Sequence, residues 1–165
     1  MYKKGQVSNF DLVIAMSIFI FILFVMVGTW DEISRKIYHY EDRRSTYYKG
    51  LDITDILIKT TGNPTNWDRL DTIDSSTVFA IGFASKPNVL DEDKIEKFES
   101  LEYGEMKDIL GLSKEDFNLV IHNIGGSDEI LLYSFGDGLN KSHVRIDRYA
   151  ILDEDLVRLS LKLYY

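Results

Sequence analysis

The chain has 165 residues, with 27 acidic and 19 basic side chains for a formal charge of −8, 45% hydrophobic and 13% aromatic residues, and no cysteine. That composition is too apolar for a disordered tail, and the missing cysteines exclude a disulfide framework, thiolate chemistry and cysteine-ligated zinc. No basic run stands beyond residue 30, and losing Lys3 and Lys4 would take the charge to −10, which argues against nucleic acid as a partner.

Residues 12–28, LVIAMSIFIFILFVMVG, form a run of 17 in which Ser17 is the only strongly polar side chain. At about 1.5 Å per helical residue the run covers about 25 Å, and Thr29 and Trp30 extend it toward bilayer thickness, with Trp30 suited to the interface. Lys3 and Lys4 precede the run, whereas Asp31 and Glu32 follow it. The positive-inside bias therefore predicts a single-pass protein of the cell membrane, its N-terminus cytoplasmic and residues 31–165 outside. Roughly 135 residues then remain, enough for one modest domain and a stalk. An ordinary secretory signal fits poorly, because the apolar run is slightly long and only Met26 and Gly28 offer a small-x-small site after it.

The residues before the run read Lys3-Lys4-Gly5-Gln6-Val7-Ser8-Asn9-Phe10-Asp11. Two basic residues and a glycine precede a glutamine, then x-Ser, then an acid at the lip of a hydrophobic helix. This resembles the class III signal peptides of archaeal type IV pilin-like proteins. The resemblance implies a leader of residues 1–5, removed by a prepilin peptidase between Gly5 and Gln6, and a mature chain that keeps its transmembrane helix over residues 6–30. It also implies that the partners are other pilin-like subunits, met through that helix, with Gln6 and Asp11 as assembly residues. The family carries glutamate at the fifth mature position, whereas Phe10 stands there in this chain and the acid follows at Asp11. In pilin assemblies that carboxylate meets the free amino terminus of a neighbour. The physical logic holds for Asp11, since a carboxylate at the edge of an apolar helix is costly to desolvate unless paired. An Asp11 that stays in the headgroup region, or favours a helix N-terminus, needs no partner.

Beyond the span Trp30, Ile33, Ile37, Tyr40, Arg44, Tyr47 and Leu51 follow 3,4 spacing, which predicts one helix from about residue 8 to about residue 49. Gly50 costs a helix interior about 1 kcal/mol relative to alanine and marks a kink or break. Further turns through Ile53, Ile56 and Leu57 follow, and residues 60–64, TTGNP, stop the helix. The stalk is thus residues 31–61. From Ile37 onward its apolar seam is expected to serve the core of the chain's own head; upstream it fits an anchor or a helix packed on neighbours equally well.

The head is residues 62–165. Residues 65–76 read as a polar loop around Trp67, and residues 77–84, TVFAIGFA, as a strand apolar on both faces and placed mid-sheet. A helix opens at Asp91-Glu92-Asp93, a second covers residues 104–110, and Ser113-Lys114-Glu115-Asp116 resembles a capping box. Strands are predicted over residues 117–123, 130–135, 144–151 and 157–163. In the last, Val157, Leu159, Leu161 and Leu163 face one way and Arg158, Ser160, Lys162 and Tyr164 the other, as in a strand with one wet face. The fold class is therefore α+β, a long N-terminal transmembrane and stalk helix packed on a C-terminal antiparallel β-sheet. This is also the pilin plan. Archaeal pilin-like proteins often carry a Gly-x-Pro-x-x-Trp turn, a Lys-Ile-x-x-Phe helix, a Leu-Gly-Leu turn and a strand entered through Asp-Phe. Gly62, Pro64 and Trp67; Lys94, Ile95 and Phe98; Leu110, Gly111 and Leu112; and Asp116 and Phe117 fit that order.

No catalytic or metal motif emerges. His39, His122 and His143 stand far apart, without a second ligand at metal spacing. Gly136-Asp137-Gly138 lacks the ligands of a calcium loop and reads as a tight turn. No enzyme activity and no cofactor are expected. Asn140-Lys141-Ser142 is an N-glycosylation sequon, whereas Asn63-Pro64-Thr65 is excluded by its proline. The expectation is a pilin-like subunit, minor or accessory, of an archaeal surface filament. The alternative is a single-pass, membrane-anchored extracellular binding domain that never polymerises. A secreted enzyme or binding protein cut after Gly28 ranks third.

Overall fold

A computed structural model of the chain describes residues 4–74, 76–126 and 128–165, without the side chains of residues 4–9, 38 and 39. Helix α1 (Lys4–Lys59) is followed by a single 3-10 turn, Trp67–Arg69, and by two short strands, β1 (Ala84–Lys86) and β2 (Val89–Leu90). Helices α2 (Glu92–Glu99) and α3 (Tyr103–Ile109) precede four longer strands: β3 (Asp116–Asn123), β4 (Ile130–Gly136), β5 (His143–Leu152) and β6 (Asp155–Tyr164). The chain divides into two compact units, Met1–Glu41 and Asp42–Tyr165.

Among its described residues the first unit is helix alone, and its apolar run is long and apolar enough to cross a membrane. The second is an α+β unit built on one six-stranded sheet of order β1-β2-β5-β6-β3-β4. The expected antiparallel sheet is corrected to a mixed one, because β2 lies parallel to β5 through Val89 and Ile151. The hairpin that carries β2 reaches the sheet's edge after closing the end of α1, which fixes its direction. The four long strands do pair antiparallel, with β6 between β5 and β3. One face of β6, Val157, Leu159, Leu161 and Leu163, is wholly buried together with Phe117, Leu119 and Ile121 of β3. Leu57 of α1 and Ile95 and Phe98 of α2 complete this core. The opposite face of β6 is drier than the alternation predicts: Ser160 and Tyr164 are buried. A central strand has neighbours on both sides, and Arg145 and Asp147 of β5 close over Ser160 while His143 packs on Tyr164.

Helix α1 passes through Gly50 without interruption, so the expected break is not there. A Cβ at position 50 would lie 2.3 Å from Ile146 Cδ1 and 3.1 Å from Leu163 Cδ1. The glycine lets the helix approach β5 and β6 closely, and packing offsets its intrinsic helix penalty. The buried face of α1 is Thr46, Gly50, Ile53, Thr54, Leu57 and Ile58. The expected seam from Ile37 is thereby displaced: Ile37, Tyr40 and Tyr47 are exposed.

Residues 77–84 are not a mid-sheet strand; only Ala84 enters β1, at the sheet's outer edge. Their backbone, with the following turn, serves the C-terminus of α1 instead. Phe83 N–H donates to Leu57 O at 2.8 Å, Asn88 N–H to Ile58 O at 2.7 Å and Ala84 N–H to Thr60 O at 3.2 Å. A helix end leaves its last carbonyls without intrahelical partners, and here an apolar segment supplies the donors. No helix starts at Ser113; Asp116 opens β3. The reciprocal cap occurs at α3, where Glu102 N–H donates to the Glu105 carboxylate at 3.0 Å.

Candidate functional site

The residues singled out for processing and assembly sit at the start of α1. Lys3 lies outside the described residues, and Lys4, Gly5 and Gln6 are described only by their helical backbone. Phe10 and Asp11 are both exposed, and Asp11 has no ion pair or side-chain hydrogen bond among the described residues. The side chains beyond it form an uninterrupted apolar cylinder. Ile18, Phe19, Ile20 and Phe21, four consecutive residues that at about 100° apiece point in all directions around the helix, are each exposed. The two hydroxyls in this stretch are satisfied by the helix itself: Ser17 Oγ donates to Val13 O at 2.8 Å, and Thr29 Oγ1 lies 2.9 Å from Met26 O and 3.0 Å from Val25 O. Polar groups bonded this way are compatible with hydrocarbon, so lipid or other apolar helices are the surroundings this surface fits. Immediately past it, Asp31 pairs with Arg35 and Glu32 with Lys36 at i,i+4 spacing, which suits an aqueous boundary.

In the head, Gly62, Trp67 and Lys94, among the residues that carry the resemblance, lie around the end of α1, whereas Asp116 and Phe117 start β3 level with Lys49 and Gly50. Gly62 adopts φ +91, and a Cβ there would lie 2.5 Å from the Trp67 ring. Trp67, expected in a loop, is completely buried and donates its indole N–H to Gly82 O at 3.1 Å. Lys94 is a buried cation whose Nζ donates to Thr61 O at 2.8 Å and Ala84 O at 3.3 Å, just past the C-terminus of α1. A positive charge complements that end of a helix. The i,i+1,i+4 pattern Lys-Ile-x-x-Phe puts Lys94, Ile95 and Phe98 on the buried side of α2, and charge alone gave no sign that Lys94 would be buried. Leu112 and Phe117 are core, Gly111 takes φ +69, and Leu110 packs at the core's margin. These are architectural roles.

The charged groups of the head whose protonation is shifted are paired rather than poised. Asp116 is held below the usual carboxylate range chiefly by Lys107 Nζ, at 2.9 Å, with Lys141 at 3.4 Å adding to it. Burial pushes the Asp147 carboxyl up, but the hydrogen bond from Ser160 Oγ at 2.6 Å and the Arg145 guanidinium at 2.9 Å outweigh it and leave it lowered. The Tyr133 hydroxyl, desolvated and bonded to Glu92 with Glu96 and Glu99 nearby, is pushed up to about 12. None of these has the pairing of an activated nucleophile with a base. His122 and His143 lie on different strands, and the His39 side chain is outside the described residues. Among the described residues no group of three or more His, Asp or Glu is placed to hold a metal ion.

Sequence reasoning missed one surface feature. On the sheet face opposite α1, Tyr149, Arg158, His122 and Leu131 stand in one cross-strand row, and Ile151 and Leu156 pair beside it. Tyr149, Leu131, Ile151 and Leu156 are exposed, whereas His122 Nδ1 and Arg158 Nε are buried without hydrogen-bond partners among the described residues. Alternation within each strand was visible, but which strands lie side by side was not. Comparison of the chain with known protein families, with curated proteins and with solved structures returned no match.

Proposed function

We propose that this protein is a pilin-like subunit, processed after Gly5 by a prepilin peptidase, anchored by its retained apolar helix and assembled through that helix into an archaeal type IV pilus-like surface filament. The observation that carries the reading is the exposed apolar surface of α1 over residues 10–30, in a chain whose other unit is a folded α+β domain with a covered core. The leader-like residues from Lys3 to Asp11, directly before that surface, supply the direction of the argument. Gln6 becomes the new N-terminus, and Asp11 offers a carboxylate to a neighbouring ammonium. The inverted order of Phe10 and Asp11 favours a minor or accessory place in the filament over the bulk subunit. It is also the observation that favours the second reading, a bitopic anchored domain that binds a ligand outside the cell without polymerising.

The mature N-terminus separates the two. Mass spectrometry of the protein from native membranes is expected to find Gln6 as the first residue, and Gly5→Val to leave the leader attached. A mature chain starting at Met1 would reject the pilin reading and leave the anchored domain. If processing occurs, Asp11→Ala is expected to lower incorporation into filaments while leaving membrane insertion unchanged.

A further inference from the structure

Two places in the chain match Asn-x-Ser/Thr, residues 63–65 and 140–142; both asparagines are exposed, but Pro64 excludes the first as an acceptor and its backbone is paired. Asn63 is tied into the closure of α1: its N–H donates to Ala80 O at 2.8 Å and its carbonyl accepts from Phe79 N–H at 2.9 Å, with Pro64 following. Asn140 lies in the connection between β4 and β5, is exposed, and its side-chain amide makes no hydrogen bond among the described residues. The next residues hold the connection in place. Lys141 Nζ reaches Asp116 Oδ2 at 3.4 Å, the Lys141 carbonyl lies 3.2 Å from His143 Nδ1, and the Ser142 carbonyl accepts from Tyr165 N–H at 3.2 Å. Ser142 is itself exposed, and its hydroxyl is free of protein partners among the described residues. A free asparagine amide and a free hydroxyl two residues on, presented on an anchored loop, are what an N-glycan acceptor requires.

We infer that Asn140 carries an N-linked glycan. The donor class is an oligosaccharide joined through its anomeric carbon to a phosphorylated lipid carrier. Asn140 Nδ2 forms a bond to that carbon, the carbon–oxygen bond to the carrier phosphate breaks, the phosphate leaves with the electron pair, and the amide nitrogen gives up one proton. No oxidation or reduction is involved. The inference rests on the reading that residues 31–165 lie outside the cell, where such donors are used. It has a structural consequence: a sugar chain at Asn140 keeps the corner formed by the β4–β5 connection and the Asp116 end of β3 in solvent, so any contact between subunits uses other faces.

The test is intact-mass and peptide mass spectrometry of the full chain from native membranes. A mass above that of the polypeptide is expected, located on the peptide containing Asn140, lost in Asn140→Gln and in Ser142→Ala, and kept in Ser142→Thr. Because the chain has no cysteine, Glu99→Cys gives a single thiol on the exposed side of α2, and a membrane-impermeant maleimide reports orientation in the same cells. Labelling at position 99 with an unmodified Asn140 would overturn the glycan and leave the export reading standing. No labelling and no added mass would overturn both.

Discussion

Helix α1 contains two apolar stretches that follow different rules. Over residues 12–30 nearly every side chain is apolar, polar atoms bond back to the helix, and the side chains are exposed all round. Over residues 46–58 one face, Thr46, Gly50, Ile53, Thr54, Leu57 and Ile58, is buried while Tyr47, Tyr48 and Ile56 lie exposed away from it, and charged groups reach into the head: Lys49 to Glu115 at 2.9 Å and Asp55 to Arg148 at 3.0 Å. An amphipathic helix is finished by its own domain, whereas a helix apolar on every side needs an apolar solvent or other helices. The same secondary structure therefore has an internal partner in one stretch and calls for an external one in the other.

The contrast is broken most sharply by the same substitution made in each stretch. Leu57→Ala, at a completely buried position, is expected to destabilise the head by about 2–5 kcal/mol. Leu23→Ala should leave the head's unfolding midpoint unchanged. Urea unfolding of the full chain in mild detergent, followed by the fluorescence of buried Trp67, reads both; equal effects would erase the distinction. Ile20→Lys acts on the other stretch alone. A charge at the centre of a span costs about 2.5–3.5 kcal/mol on insertion scales, so the fraction of protein resisting alkaline extraction from membranes should fall while head stability stays the same.

Gly50→Val sharpens the account of how the helix meets its sheet. With Ile146 Cδ1 already 2.3 Å from the site of a Cβ, overpacking is expected to cost about 1–3 kcal/mol. Adding Ile146→Ala should recover part of that loss, whereas a merely local helix effect would make Gly50→Val stabilising. The smallest effect concerns pH. The Asp147 carboxyl is lowered in the folded state, so between its folded value and the unfolded value near 3.8 the unfolded chain binds more protons. Its contribution is thus present above pH 3.8 and lost as pH falls through the folded value. Asp147→Asn should flatten the acid side of the stability profile without altering the alkaline side.

The sequence by itself determined those features that depend on local periodicity and composition. The apolar run, the stop after residue 59, α2, α3 and the four long strands all lie within a few residues of where spacing, caps and turns put them. The exposed sequon at Asn140 and the inner face of β6 were equally legible, since exposure in a loop and alternation in a strand are properties of neighbours in the chain. Only the tertiary structure decided the rest. It turned residues 77–84 from a strand into the closure of a helix, because the unpaired carbonyls of α1 needed donors that distant residues supplied. It buried Lys94 at that same end, made Gly50 a contact rather than a hinge, and set β2 parallel to β5. In each case the deciding interaction joins residues far apart in the chain, and a local pattern records what a residue prefers, not which partner folding brings to it.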